Sequence, residues 1–282
     1  MRRIHLLTHQ HRTPSTNWTM GLILAFNAGA INAGGFLMLH QYTSHMTGFA
    51  SEFADGLALG DARLILNAAG ALIAFVTGSA VTAILVNWAR QHRMRPIYAP
   101  PLLLEALLLL SFGVLGGTSA LFTRMTPFAV PVTVLLLSFV MGLQNAMVSK
   151  TSGGVIRTTH MTGNITDFGM ELGKALYWNR QGPERDELLV RHDRLRMRRA
   201  GSLIAMFIGG GYIGALGFQH VGYVCVIPFA AILLTLAVPP LYREFTDSTG
   251  PLQLRFKGLE GWEMKTQHQR NKDTDGHPAR HD

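Results

Sequence analysis

Six apolar runs, each close to twenty residues long, constrain this chain more than any other feature of its sequence. They cover residues 21–39, 64–88, 98–117, 127–148, 200–218 and 222–241. An α-helix rises about 1.5 Å per residue, so about 20 apolar residues cross the ~30 Å hydrocarbon core of a bilayer with every backbone polar group satisfied internally. Hydrophobic residues make up 48% of the chain and charged ones 15%, a more apolar and less charged balance than water-soluble domains carry. The expected fold class is all-α: a polytopic membrane protein with six transmembrane helices.

The net charge of +8 would also suit a nucleic-acid binder, so its placement has to decide. Twenty-three of the 25 Lys and Arg fall in the leader, the second and fourth connections and the tail. The first, third and fifth connections hold only Arg63 and Arg124. Cytoplasmic loops of membrane proteins carry such an excess, so topology accounts for the basic balance and no nucleic-acid partner is inferred. The expectation is a multi-pass protein of the bacterial inner membrane with both termini cytoplasmic. A polar leader before the first run, and no small-residue cleavage site after it, keep that run as a helix of the mature protein. Cys225, the single cysteine, lies inside the last run and reads as a packing residue.

Residues 43–48, TSHMTG, recur as residues 158–163, TTHMTG, 115 positions later. The match extends downstream, with Glu52 on Asp167, Phe53 on Phe168 and Leu57 on Leu172, and upstream, where 27–32 falls on 142–147. A phrase repeated with the same apolar run before it and the same helical stretch after it is an internal duplication. The unit is three spans long, so the second copy enters the membrane from the opposite side. The result is two inverted three-helix repeats, about 20–118 and 127–241. Around this membrane domain, 20–241, stand a cytoplasmic leader (1–19), a cytoplasmic loop (about 178–199) and a polar tail (242–282), part of it too polar to fold alone. Within the loop, 184–200 reads as a short amphipathic surface helix whose arginines sit near anionic headgroups. Gly210 and Gly214 form a small-xxx-small face, Pro228 is expected to kink the last span, and Pro100 and Pro101 fit the first turn of the third.

Polar side chains within apolar runs are costly and mark functional candidates. Asn27 and Asn32 lie in the first run and Gln144 and Asn145 in the fourth. They either join helices by hydrogen bonds or meet a ligand; their matching places in the two repeats favour the second. Glu105 is the one carboxylate well inside a run; it snorkels, pairs with Arg93 or Arg95, or lines a proton path. In the HMTG phrase, Gly48 and Gly163 permit a sharp backbone change, Thr47 and Thr162 can cap the next helix, and His45 and His160 can exchange protons near neutral pH. Breaks of this kind in matching halves point to a transport site, although simple capping explains them equally well. No metal-ligand spacing, cofactor fingerprint or enzyme motif is present, so no metal, no cofactor and no enzymatic activity are expected.

The segments GAINAGGFLML, TSHMTGF, MGLQNAM and TTHMTGNIT together resemble the YoaK-like family of bacterial inner-membrane proteins, a domain of unknown function, over residues 20–241. The resemblance implies a six-span integral membrane protein and supplies no substrate. Two positions depart from the family pattern: Asn32 stands where Asp is usual, and Phe49 stands where Asn follows the first MTG, whereas Asn164 fits. The functional expectation is a small secondary transporter or permease for a small polar solute. Asn32, His45, Thr47, Gln144, Asn145, His160, Thr162 and Asn164 would line its path, and Glu105 is the proton-path candidate. Six spans are few to enclose a pathway, which suggests a homodimer in the lipid bilayer. The rival is a non-transporting scaffold or regulator that acts through the basic loop and tail.

Overall fold

A computed structural model describes residues 8, 14–122, 132–152, 158–177 and 190–246. Eight α-helices are present among them: α1 (Pro14–Leu39), α2 (Met46–Leu59), α3 (Ala62–Gln91), α4 (Ala99–Phe122), α5 (Val132–Ser152), α6 (Met161–Leu176), α7 (Arg194–Val221) and α8 (Val226–Thr246). A 3₁₀ turn, Gly222–Cys225, joins the last two. No strand occurs among the described residues. Five stretches are long and apolar enough to cross a membrane: Ser15–Leu39, Ala62–Gln91, Ala99–Thr118, Val132–Lys150 and Arg194–Thr246. The fifth holds 53 residues, more than twice what one crossing requires. It is interrupted where Gly222 takes φ 60° and ψ −142°, a conformation open to glycine and strained for other residues. The fifth and sixth apolar runs of the sequence are thus one helical stretch with a break at Gly222.

Local chemistry sets the helix starts. Asp61 and Asp193 each stand before a long helix in extended backbone, and each carboxylate accepts two backbone N–H bonds, from Arg63 and Leu64 in α3 and from Leu195 and Arg196 in α7. Such caps satisfy two donors that helix geometry leaves unpaired. The cap at Asp193 also corrects the expected surface helix over 184–200. Residues 194–200 are the first turns of α7, because the cap fixes its start there; residues 184–189 lie outside those described. Pro228 is the third residue of α8, in its first turn, where a missing N–H breaks no bond within that helix; Pro239 and Pro240 lie inside it. Pro100 and Pro101 do sit in the first turn of α4. Most of the polar tail, 247–282, lies outside the described residues, as do most of the leader and Arg124.

The most extensive contacts join α1 to α7 and α3 to α5, and both pairs run parallel. Along the first pair, Gly210 meets the backbone of Phe26, Gly214 meets Ala30, and the Phe218 ring lies over Gly34, so the numbers rise together. Along the second, Ser79 Oγ bonds Gly142 O at 3.1 Å, Thr82 Oγ1 bonds Leu143 O at 2.8 Å, and Lys150 Nζ bonds Asn87 Oδ1 at 2.9 Å. The two crossings use the same device. A Cβ on Gly29 or Gly210 would lie 2.0 or 1.9 Å from the carbonyl oxygen of Phe207 or Phe26. A Cβ on Gly78 or Gly142 would lie 2.1 Å from that of Phe139 or Phe75. Each of the four helices therefore offers a Phe-x-x-Gly segment that lets backbones touch, which is how helices associate where no water drives them together. The small face expected at Gly210 and Gly214 is the one that receives α1.

The buried faces of α3 and α7 correspond at five positions. Ala68, Ala71, Gly78, Thr82 and Val86 in α3 and Ala200, Leu203, Gly210, Gly214 and Phe218 in α7 are buried, each pair separated by the same 132 positions as Asp61 and Asp193. The outward faces of both helices are apolar, with Ile73, Val76 and Ile84 exposed on α3 and Ile208, Tyr212 and Ile213 on α7. Between the crossed pairs, α4 packs along α8 around Leu102, Leu109, Phe112, Phe229 and Leu233. Cys225 is buried against Gly217, consistent with its reading as a packing residue.

Candidate functional site

The two His-Met-Thr-Gly segments adopt one geometry. His45 (φ −90°, ψ 69°) and His160 (φ −83°, ψ 60°) occupy the positions just before α2 and α6, and neither helix receives a side-chain cap there. The backbone bonds are matched as well: Met46 N to Ser44 O and Phe49 N to His45 O in one turn, Met161 N to Thr159 O and Asn164 N to His160 O in the other. The glycines serve a different purpose from the one expected. Gly48 and Gly163 are helical, and a Cβ on either would lie 2.2 Å from the imidazole of His45 or His160. Glycine is present because the ring folds back over it. Thr47 Oγ1 lies 3.5 Å from His45 Nδ1 and caps nothing. The hydroxyl-bearing residues that are fully buried at these turns are Thr43 and Thr158, which the sequence aligned but gave no role.

Asn32 secures the first turn: its Oδ1 accepts from Ser44 N at 3.2 Å and from Ser44 Oγ at 2.8 Å. The Phe-x-x-Gly segments align Gly29 with Gly142, and so Asn32 with Asn145, two residues away from the upstream register obtained by extending the histidine match. Among the described residues Asn145 has no corresponding bond, and its Oδ1 is buried without a partner.

The two turns lie at opposite ends of α1. His45 follows the C-terminal end of that helix, whereas His160 shares a cavity with Trp18 near its start. A 26-residue helix is about 39 Å long, so the structure does not bring His45 and His160 to a single chamber. The cavity at His160 has a volume of about 510 Å³ and lies between α6, the start of α7 and the start of α1. Asp167, Asp193, Arg196 and Arg199 give it mixed charge, and Asn164 adds a neutral amide.

Its wall is held by ionic bonds that sequence reasoning missed. Glu171 is buried, accepts from Lys174 Nζ at 2.8 Å and from Asp193 N at 2.7 Å, and lies 3.9 Å from Arg196 Nη1. Arg196 Nη2 in turn bonds Asp167 Oδ1 at 2.9 Å. The Lys174 ammonium and the Asp193 amide hold the Glu171 carboxyl below its ordinary value of 4.5, and the capped amides hold Asp193 below its own. The Glu-x-x-Lys spacing at 171–174 was the available signal. A carboxyl depressed by folding stabilises the folded state in full above its unfolded value and ceases to do so as pH falls through the lowered one. Thermal melting of the wild type and Glu171→Gln in detergent is thus expected to show a gap at pH 7 that closes below about pH 4.5. A gap constant down to pH 3 would remove the ionised tie.

Deeper in the protein, Gln144 Nε2 donates to Glu105 Oε1 at 2.8 Å, with both side chains buried. This bond crosses from α5 to α4 and corrects two readings of Glu105: it does not snorkel to the surface, and its partner is an amide rather than Arg93 or Arg95. Glu105 Oε2 and Gln144 Oε1 remain buried without partners among the described residues, as do both polar atoms of Asn27. Buried acceptors are costly when unmet. Glu105 sits six residues into α4, about 9 Å from its start. Thr162, at the second residue of α6, is exposed and takes no part in these bonds.

Residues 20–238 match the family model described as "Protein of unknown function (DUF1275)". A relative in Bacillus subtilis (strain 168), UPF0700 transmembrane protein YoaK, is 27% identical over 166 residues, which cover 58% of this chain and 70% of the relative. No solved structure matches the chain. The all-helical fold, its apolar helices and a family match over most of the sequence place this chain in the DUF1275 family, a group of membrane proteins that includes relatives of YoaK.

Proposed function

We propose that this chain is a small secondary transporter or permease for a small polar solute, built as six spans in two inverted three-span repeats. The observation that carries the reading is the correspondence between halves: the same turn geometry at His45 and His160, the same caps at Asp61 and Asp193, and the same glycine crossings. Transporters commonly place their sites where matching halves break their helices. Parallel α1 and α7 with three long helices between them suit alternating passes, and so do parallel α3 and α5. The break at Gly222 then makes α7 and α8 the fifth and sixth crossings, with basic loops and both termini on the cytoplasmic side. In this arrangement the cavity at His160 is the cytoplasmic mouth, and His45 with Thr47 stands at the opposite rim. Gln144 Oε1 and Glu105 Oε2 offer acceptors to a solute bearing N–H or O–H groups.

The scaffold alternative is less well supported, because Arg196 and Asp193 of the basic segment are engaged with α6 rather than presented to a partner. Purified protein in liposomes should carry a polar solute, with His160→Ala and Asn145→Ala each slowing flux about tenfold or more through lost positioning. Unchanged rates would remove the site. Cysteine labelling near Glu52 and near Asp167 should report opposite faces of the membrane, and the same face for both would end the inverted arrangement.

A further inference from the structure

We propose that a second cavity, between the starts of α1 and α7, binds a phosphate-bearing anion, and that its occupant is the headgroup of an anionic phospholipid. The cavity has a volume of about 550 Å³ and is lined by Ser15, Trp18, Leu195, Arg198, Arg199 and Ser202. It shares Trp18 and Arg199 with the cavity at His160 but differs from it in charge. Asp167 and Asp193 line that neighbour, whereas no acid lines this one.

The basic residues around it divide by partner. Arg196 is committed to Asp167 and Glu171. Arg198 and Arg199 have no carboxylate within ion-pair distance among the described residues. Asp193 feels the charge of Arg199, but its carboxylate is occupied with the amides of Leu195 and Arg196. Arg198 and Arg199 both line the cavity, and no acid does; guanidinium groups offer paired N–H donors to phosphate oxygens, so this lining suits an oxyanion. Two serines leave the space beside them open, and an indole forms one wall, the side chain favoured at the level of lipid headgroups. The site opens where two membrane-length helices begin, which places it at the membrane surface rather than in the hydrocarbon. A lipid phosphate is supplied there at high local concentration, and basic groups attract anionic lipid. This inference does not depend on transport.

The test uses full-length protein in a neutral maltoside detergent and follows thermal melting during separate additions of dihexanoylphosphatidylglycerol and inorganic phosphate. The wild type should be stabilised by the lipid more than by inorganic phosphate. Arg198→Gln/Arg199→Gln should weaken the apparent affinity for the lipid about tenfold or more, the loss expected for charge-assisted hydrogen bonds. Arg194→Gln/Arg243→Gln removes the same charge outside the cavity and should change it less than about threefold, as exposed charges do. Equal losses in the two variants would mean diffuse surface attraction and overturn the proposal. So would the absence of stabilisation of the wild type by either probe. Stabilisation by inorganic phosphate alone would overturn the lipid as occupant. If the cavity variant fails to fold, Arg199→Lys keeps the charge and loses the fork, and an unchanged affinity in that variant would count equally against the site.

Discussion

Gly142→Val and Gly210→Val are each expected to yield no folded protein in detergent extracts. A Cβ at either position falls within 2.1 Å of a backbone carbonyl oxygen on the crossing helix, and backbone cannot swing aside as the end of a side chain can. Relief requires the helices to separate along their length, which forfeits the packing that holds them. Overpacking in ordinary cores costs about 1–3 kcal/mol, and this case lies at or beyond the upper end. The matched Gly29→Val and Gly78→Val should behave alike, because the four glycines serve two crossings of one design. Gly209→Ala is the control: a Cβ there meets nothing within 4 Å, and alanine gains up to about 1 kcal/mol in helix propensity. Size-exclusion profiles and melting temperatures separate these outcomes. A well-folded Gly142→Val would show that the helices are not held backbone to backbone.

Breaking the Glu105–Gln144 bond from one side is expected to cost more than removing it from both. Gln144→Leu leaves the Glu105 carboxyl without its donor, and Glu105→Leu leaves an amide without its acceptor, each costing about 1–3 kcal/mol. The double variant places two apolar side chains against each other and should recover most of that loss. A coupling of about 1–2 kcal/mol in a double-mutant cycle on thermal melting is the expected result. Additive effects would mean that the bond contributes nothing to the fold. If the pair also handles solute, the stable double variant should be inactive in the flux assay.

The apolar runs were legible because hydrocarbon thickness acts on each segment separately. The doubled histidine phrase was legible because Thr, His, Met, Thr and Gly all agree. The correspondence between α3 and α7 was hidden for a physical reason. Lipid-facing positions need only be apolar, so the shared elements reduce to an Asp cap, a Phe-x-x-Gly segment and a spacing of small or buried residues. The offset also shifts from 115 to 132 between α6 and α7, which breaks any fixed-register comparison. Positions 132 apart also differ in chemistry: Ser79 and Thr82 fasten the α3 crossing with hydroxyls, where Gly211 and Gly214 serve α7. Glu105 and Gln144 lie 39 positions apart on different helices, so neither periodicity nor spacing could pair them. The role of Gly48 and Gly163 was misread because sequence shows that a residue is small, not what occupies the room beside it.

The parallel pairing of α1 with α7 has a consequence for how the protein is made. Phe26 and the glycine it meets, Gly210, are separated by 184 positions, so at about 5–20 residues per second the ribosome needs roughly 10–40 s to deliver the second after the first. Throughout that interval the glycine groove of α1 has only lipid or the insertion machinery to cover it. Release of the nascent chain before α7 emerges would therefore leave a membrane intermediate that quality-control proteases can recognise.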